Sequence, residues 1–265
     1  MARAIISGLC ASAEAREANK IAVIEPFTAT AEALKKLYPV MIFESATAYL
    51  AATAEPADVL VLAVKPQMMQ EALAPFNGRV SGLVLSIAAG ITTRAITSWL
   101  NGDAAPSVAV VRAMPNTPAM IHAGMTGLYA APSVDAHARA LATALMATVG
   151  KTQWFDDEGM LDAVTAVSGS GPAYVFYFIE ALEEAAISLG FTTVQAREFA
   201  LETFRGGALL AAQSSDSPAT LRAQVTSKRG TTEAAILQLD ARDVKAHIVA
   251  AVQAAQARSK ELGAA

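Results

Sequence analysis

The chain has 265 residues, 54% of them apolar and 17% charged, with a formal net charge of −4. That length holds one large or two ordinary domains, each with a proper core, and so small a charge gives no electrostatic case for nucleic acid or an anionic membrane. The single cysteine, Cys10, excludes an intramolecular disulfide and fits a reducing compartment. No apolar run approaches the roughly 18 residues of a bilayer span, and no secretory pattern follows Met1, so a cytoplasmic protein is expected.

Residues 1–18 read as one amphipathic helix with Ile5, Ile6, Leu9 and Cys10 on one side. An apolar run at 20–26, stopped by Pro26, reads as a buried strand; 28–37 returns as a helix, 40–43 as a strand and 47–53 as a helix. The clearest strand is 58–64, ahead of Lys65-Pro66, and 83–87 and 108–111 supply two more. This alternation predicts a Rossmann-like parallel sheet covered on both faces, with ligands outside the carboxyl ends of its strands.

Polar and small residues gather at those ends. Glu25 closes one strand, Lys65-Pro66 the next and Ala88-Ala89-Gly90 another, while Arg112 to Ala119, with Asn116 among them, follow the last. Small residues let a flat ligand approach backbone, and Lys65 and Asn116 offer donors, so a nucleotide or dinucleotide site is expected.

A strand at 126–130, a helix at 134–149 and 152–155 complete a first domain over 1–155; a second, 156–265, reads as all helix. Between the two grammars, Ser168-Gly169-Ser170-Gly171-Pro172 is rich in backbone N–H groups and suits a polar or anionic ligand. Helices at 174–189 and 193–212 follow; Ser217-Pro218 caps the next, and 224–233 is a second polar turn before helices at 233–239 and 243–262. Several of these helices are apolar on more than one side, which predicts burial against a partner chain. His122, His137 and His247 show no metal-ligand spacing, and Cys10 reads as core, so no metal site is expected.

Asp162-Ala163-Val164-Thr165 through Tyr174, the Val225-Thr226-Ser227 and Gly230-Thr231-Thr232 turn, Ala63-Val64-Lys65-Pro66 and Met114-Pro115-Asn116-Thr117-Pro118 occur in the order seen in one family. On these residues the chain resembles pyrroline-5-carboxylate reductase. The resemblance implies a nicotinamide-binding domain and a helical domain through which two chains interlock as a homodimer, often assembled to a decamer. It also implies hydride transfer from NADH or NADPH to the C=N bond of 1-pyrroline-5-carboxylate, giving L-proline. In that reading Ser227, Gly230, Thr231 and Thr232 clamp the substrate carboxylate and Thr165 relays a proton to the ring nitrogen. Glu25, Lys65, Pro66, Ala88, Ala89 and Asn116 line the cofactor.

Three departures qualify the match. The family opens with a strand and a Gly-rich loop leading into Met-Ala, whereas this sequence begins at such a pair, either because it starts at an internal methionine or because it is a truncated form. If the chain is complete as given, a sheet lacking its central strand, weak cofactor binding and poor stability are expected. Arg229 stands where the family has Gly, at a cost of roughly 1 kcal/mol if the position needs a positive φ. Glu25 suits a ribose 2′-hydroxyl and repels a 2′-phosphate, which leans toward NADH. The alternatives are a dimerising homologue impaired by loss of its phosphate loop, and a related imine reductase. Against the latter, the helix at 174–189 has no lysine.

Overall fold

The computed structural model describes residues 1–11, 17, 20–53, 56–100 and 108–264. It forms two compact units, Met1–Ser170 with Ala255–Ala265, and Gly171–Ala254.

The first unit opens with α1, Ala2–Leu9, capped by Cys10. The expected helix over 1–18 therefore stops early, and much of its second half lies outside the described residues. β1 (Ala22–Ile24), α2 (Thr28–Leu37), β2 (Met41–Phe43) and α3 (Ala46–Ala52) follow. Next come β3 (Val59–Leu62), a 3-10 turn at Pro66–Met68, α4 (Met69–Leu73), β4 (Leu83–Ser86) and α5 (Thr93–Leu100). β5 (Ala109–Met114), a 3-10 turn at Thr117–Ile121, β6 (Gly124–Ala130), α6 (Ala136–Ala147) and β7 (Gly150–Phe155) close the α/β part.

The strands alternate as a doubly covered sheet must. Leu83 and Leu85 of β4 face one core with Ile5, Val111, Leu128 and Met146, while Val84 between them faces another with Leu62, Met69, Ile96 and Val110. Each fully buried side chain of this size is worth about 1.5–3 kcal/mol of hydrophobic transfer.

β3, β4 and β5 are parallel neighbours, but β6 runs antiparallel to β5 before β7 pairs parallel to β6. The sheet is thus mixed where a parallel one was expected. The connection at 115–123 holds only a 3-10 turn, ended by left-handed His122 (φ 58°), too short for the crossover that a parallel neighbour requires. β1 and β2 pair parallel as a separate two-stranded sheet, and no pairing joins β1 to β3 among the described residues. α1 holds the pieces together: Ile6 and Cys10 pack with Leu34, Val23 and Ile42, whereas Ala4 and Ile5 belong to the core over β4 and β5.

The first unit ends later than the expected boundary after residue 155. α7 (Met160–Val164) and the wider π turn Thr165–Gly169 lie on it, because Gly127 of β6 has no side chain to meet Val164. A Cβ there would stand 2.9 Å from both Val164 methyls.

The second unit is helical. α8 (Gly171–Ser188) and α9 (Thr193–Gln213) pack along Ala196 and Ala200, small enough for close approach. Thr192 and Gln195 form a capping box at the start of α9. α10 (Pro218–Gln224) begins at Ser217, whose hydroxyl accepts from Thr220 N–H at 3.1 Å, and α11 (Thr231–Ala241) and α12 (Val244–Ala264) follow. Phe176, Tyr177, Leu189, Val194 and Phe199 are exposed, so this unit buries little of its own apolar surface.

Candidate active site

In the first unit the expected residues stand at carboxyl ends of strands. Glu25 directly follows β1; its N–H donates to Phe43 O (2.9 Å), and its Oε1 accepts from Phe27 N–H (3.0 Å). Exposed Lys65 and half-buried Pro66 come just after β3, with Pro66 opening the 3-10 turn. Buried Ala88 and exposed Ala89 follow β4, and Gly90 turns the chain at φ 77°, where an L side chain is strained. Because β3 and β4 are paired neighbours, Lys65-Pro66 and Ala88-Ala89 share one edge of the sheet.

Asn116 sits just past β5, half-buried. Its Oδ1 accepts from Met125 N–H (2.9 Å), fixing the amide so that Nδ2 donates to Ser168 Oγ (3.2 Å). The strand end is thereby tied to the π turn that holds Thr165. π turns of this kind concentrate at functional sites. Here Ser170 N–H bonds to Thr165 O (2.8 Å), and the Thr165 hydroxyl donates to Leu161 O at 2.7 Å. The hydroxyl proton is therefore engaged with backbone, and its lone pairs are what Thr165 offers a ligand.

In the second unit the turn before α11 is tightly made. Arg229 is left-handed at φ 61°, the positive φ the sequence feared for it, and its N–H donates to Glu233 Oε2 at 2.6 Å. Gly230 N–H donates to Ser227 O (3.0 Å) and Gly230 caps the helix. Of the three N–H groups expected to clamp a carboxylate, that of Gly230 is thus spent inside the turn. Those of Thr231 and Thr232, and the hydroxyls of Ser227, Thr231 and Thr232, have no partner among the described residues.

Sequence reasoning missed one cluster. Arg112 lies within β5, not after it, and is 8% exposed; its Nη1 donates to Glu158 Oε1 at 2.9 Å. Glu158 also takes the N–H of Thr93 (2.7 Å) and its hydroxyl (3.3 Å), so one carboxylate joins the start of α5, mid-β5 and the approach to α7. The signal was an arginine inside the apolar run Val110-Val111-Arg112-Ala113, since a buried cation demands a partner. Arg112 Nε itself has none among the described residues. Among the described residues no group of His, Cys, Asp or Glu is placed to hold a metal, and no helix is long and apolar enough to cross a membrane.

A dinucleotide fits what is present: a carboxylate for ribose hydroxyls at Glu25, a cation at Lys65, methyl-sized side chains at Ala88 and Ala89, and an oriented amide at Asn116. Fold and donor set together define an NAD(P)-dependent oxidoreductase with a helical second unit.

Comparison with known proteins gives the family. A family model described as pyrroline-5-carboxylate reductase dimerisation matches residues 158–262, and one described as NADP oxidoreductase, coenzyme F420-dependent, matches residues 1–90. Pyrroline-5-carboxylate reductase of Pseudomonas aeruginosa is 46% identical over 209 residues (78% of this chain, 75% of that protein). The Synechocystis enzyme is 38% identical over 264 residues (99% of this chain, 95% of that protein). A solved pyrroline-5-carboxylate reductase from Coxiella burnetii superposes with TM-score 0.86 at 38% identity, covering 98% of this chain and 94% of that one. The chain belongs to the pyrroline-5-carboxylate reductase family.

Proposed function

We propose that this protein reduces the C=N bond of 1-pyrroline-5-carboxylate, giving L-proline, in the cytoplasm. The observation that carries the reading is the turn at 227–232, where internal bonds consume Arg229 and Gly230 N–H and leave two backbone donors and three hydroxyls for a carboxylate. Donors at a helix start favour an anion. Glu25, Lys65, Pro66, Ala88, Ala89 and Asn116 would hold NADH or NADPH, which supplies the hydride when bound.

The substrate carbon accepts hydride once its nitrogen is protonated. Thr165, with its own hydrogen on Leu161 O, accepts a hydrogen bond from that N–H and holds the cation in place; after reduction the nitrogen is an ordinary amine. Asn116, through Ser168, fixes the π turn on which Thr165 rides.

The exposed apolar faces of the second unit belong in a homodimer, with further assembly to a decamer the arrangement to look for in solution. Among the described residues no strand pairs with the outer edges of β1 and β3, which favours a second reading, a dimerising homologue that binds its cofactor weakly.

Oxidation of NADH and of NADPH, each followed spectrophotometrically with pyrroline-5-carboxylate, tests both. The reductase reading expects turnover, with Thr231→Ala and Thr232→Ala raising substrate KM more than they lower kcat. A folded dimer that shows neither turnover nor cofactor binding overturns it and leaves the second.

A further inference from the structure

We infer that the last turns of α12, Ser259 to Gly263, position the Ala88-Ala89-Gly90 loop and so set how tightly that loop receives the cofactor; this rests on the loop's assignment to NAD(P)H above. Although α12 counts with the second unit as far as Ala254, from Ala255 onward it belongs to the first. There its backbone meets the loop directly. A Cβ on Gly90 would lie 3.3 Å from Gly263 Cα and 3.5 Å from Leu262 O, and one on Gly263 would lie 3.5 Å from Gly90 Cα. Gly90 allows this approach because it has no side chain, and it needs its glycine anyway for φ 77°, while a single methyl on Gly263 would meet it only at ordinary contact distance.

A second contact fixes the helix in that place. Ser259 is 9% exposed, and its hydroxyl donates to Asp162 Oδ1 at 2.7 Å. Asp162 lies one helical turn beyond Glu158, the carboxylate that takes Thr93 N–H at the other end of the loop. The stretch from Gly90 to Thr93 is therefore braced twice, at Gly90 by α12 and at Thr93 by Glu158. Both braces trace to the segment leading into Thr165. Loop shape, and with it the placement of a ligand along Ala88 and Ala89, depends on a helix end more than 160 residues further along the chain.

The test uses the full chain with Gly263→Ala, Gly263→Val and Ser259→Ala. A single methyl at 263 fits at ordinary contact distance, whereas the branched side chain reaches into Gly90. Gly263→Val is expected to raise the dissociation constants of NADH and NADPH, measured by fluorescence titration without substrate, by about tenfold. It should also speed amide exchange at Gly90 and Ile91 and raise cofactor KM while substrate KM holds. Gly263→Ala should stay within about twofold of the parent, and Ser259→Ala, which adds no bulk and serves if the valine variant does not fold, should weaken binding about threefold.

Unchanged affinity and exchange in folded Gly263→Val, or in Ser259→Ala, overturns the inference. Faster exchange in a protein whose parent binds neither NADH nor NADPH instead overturns the loop's assignment to the cofactor, leaving the brace in place.

Discussion

Removing the Glu158 carboxylate tests the buried cluster most directly. Glu158→Ala deletes three hydrogen bonds, from Arg112 Nη1, Thr93 N–H and the Thr93 hydroxyl. It also strands a guanidinium whose Nε already lacks a partner among the described residues. Breaking a buried ion pair from one side costs about 3–5 kcal/mol; with side chains 10% and 22% exposed, water relieves part of that, and about 2–4 kcal/mol is the expected loss. For a protein of this size each kcal/mol moves Tm by about 2–4 °C, so Tm should fall by roughly 5–15 °C. Urea unfolding of the parent, Glu158→Ala, Arg112→Met and the double variant forms a cycle. The double variant should recover at least about 1 kcal/mol over Glu158→Ala, because it no longer buries a lone charge. A loss below about 1 kcal/mol in Glu158→Ala, or a double variant no better than the single, would refute the account of Arg112 as a cation held by that carboxylate.

Arg229→Gly should stabilise the protein slightly, by about 0.5 kcal/mol, since relief of the left-handed φ of 61° exceeds the extra chain entropy of glycine; calorimetry showing a loss above about 1 kcal/mol would contradict this. Glu25→Ser should raise the NADPH-to-NADH ratio of kcat/KM by about tenfold if the carboxylate faces a 2′-phosphate, and leave it unchanged if Glu25 only braces Phe27 N–H. On the exposed face of α9, the Arg205 hydrogen bond holds the Glu202 carboxyl below its ordinary range. In Arg205→Gln the NMR titration of Glu202 should move up in pH with thermal stability unmoved, because a fully exposed pair contributes little.

The ends of β1, β3 and β4 were legible because Glu25, Lys65-Pro66 and Ala88-Ala89 each close an apolar run, and apolar runs of that length are what a doubly covered sheet requires. The positive φ at Arg229 was foreshadowed only by the glycine that the family has at that position. Direction was not: nothing in the residues of β6 states that it runs antiparallel, which is decided by the length of the connection at 115–123. Arg112 was placed one step too late, because a charge in an apolar run ends a strand on paper and extends it when Glu158, 46 residues away, supplies the partner. The same limit hid the return of α12. Periodicity reports a helix; what its last turns touch is shown by the facing pair Gly90 and Gly263 and by the Ser259 hydroxyl on Asp162.

The split sheet makes one more outcome calculable. Two-stranded sheets are marginal by themselves, and β1–β2 draws its support from α1, α2 and the small core of Ile6, Cys10 and Leu34. Ile6 is 7% exposed, so Ile6→Ala removes buried methyl groups at a cost of about 2–4 kcal/mol, much of it local to that piece. Amide exchange should therefore quicken at Glu25, whose N–H is held by Phe43 O, well before it quickens in β4, whose four residues are all buried. Because Glu25 is the residue assigned to the cofactor's ribose, affinity for NADH should fall in step with protection at Glu25. The contacts of Ala88, Ala89 and Asn116 rest on the other sheet and should hold. Equal loss of protection in β1 and β4 would mean that the two pieces unfold as one, with α1 a shared core element and not a tie between separable parts.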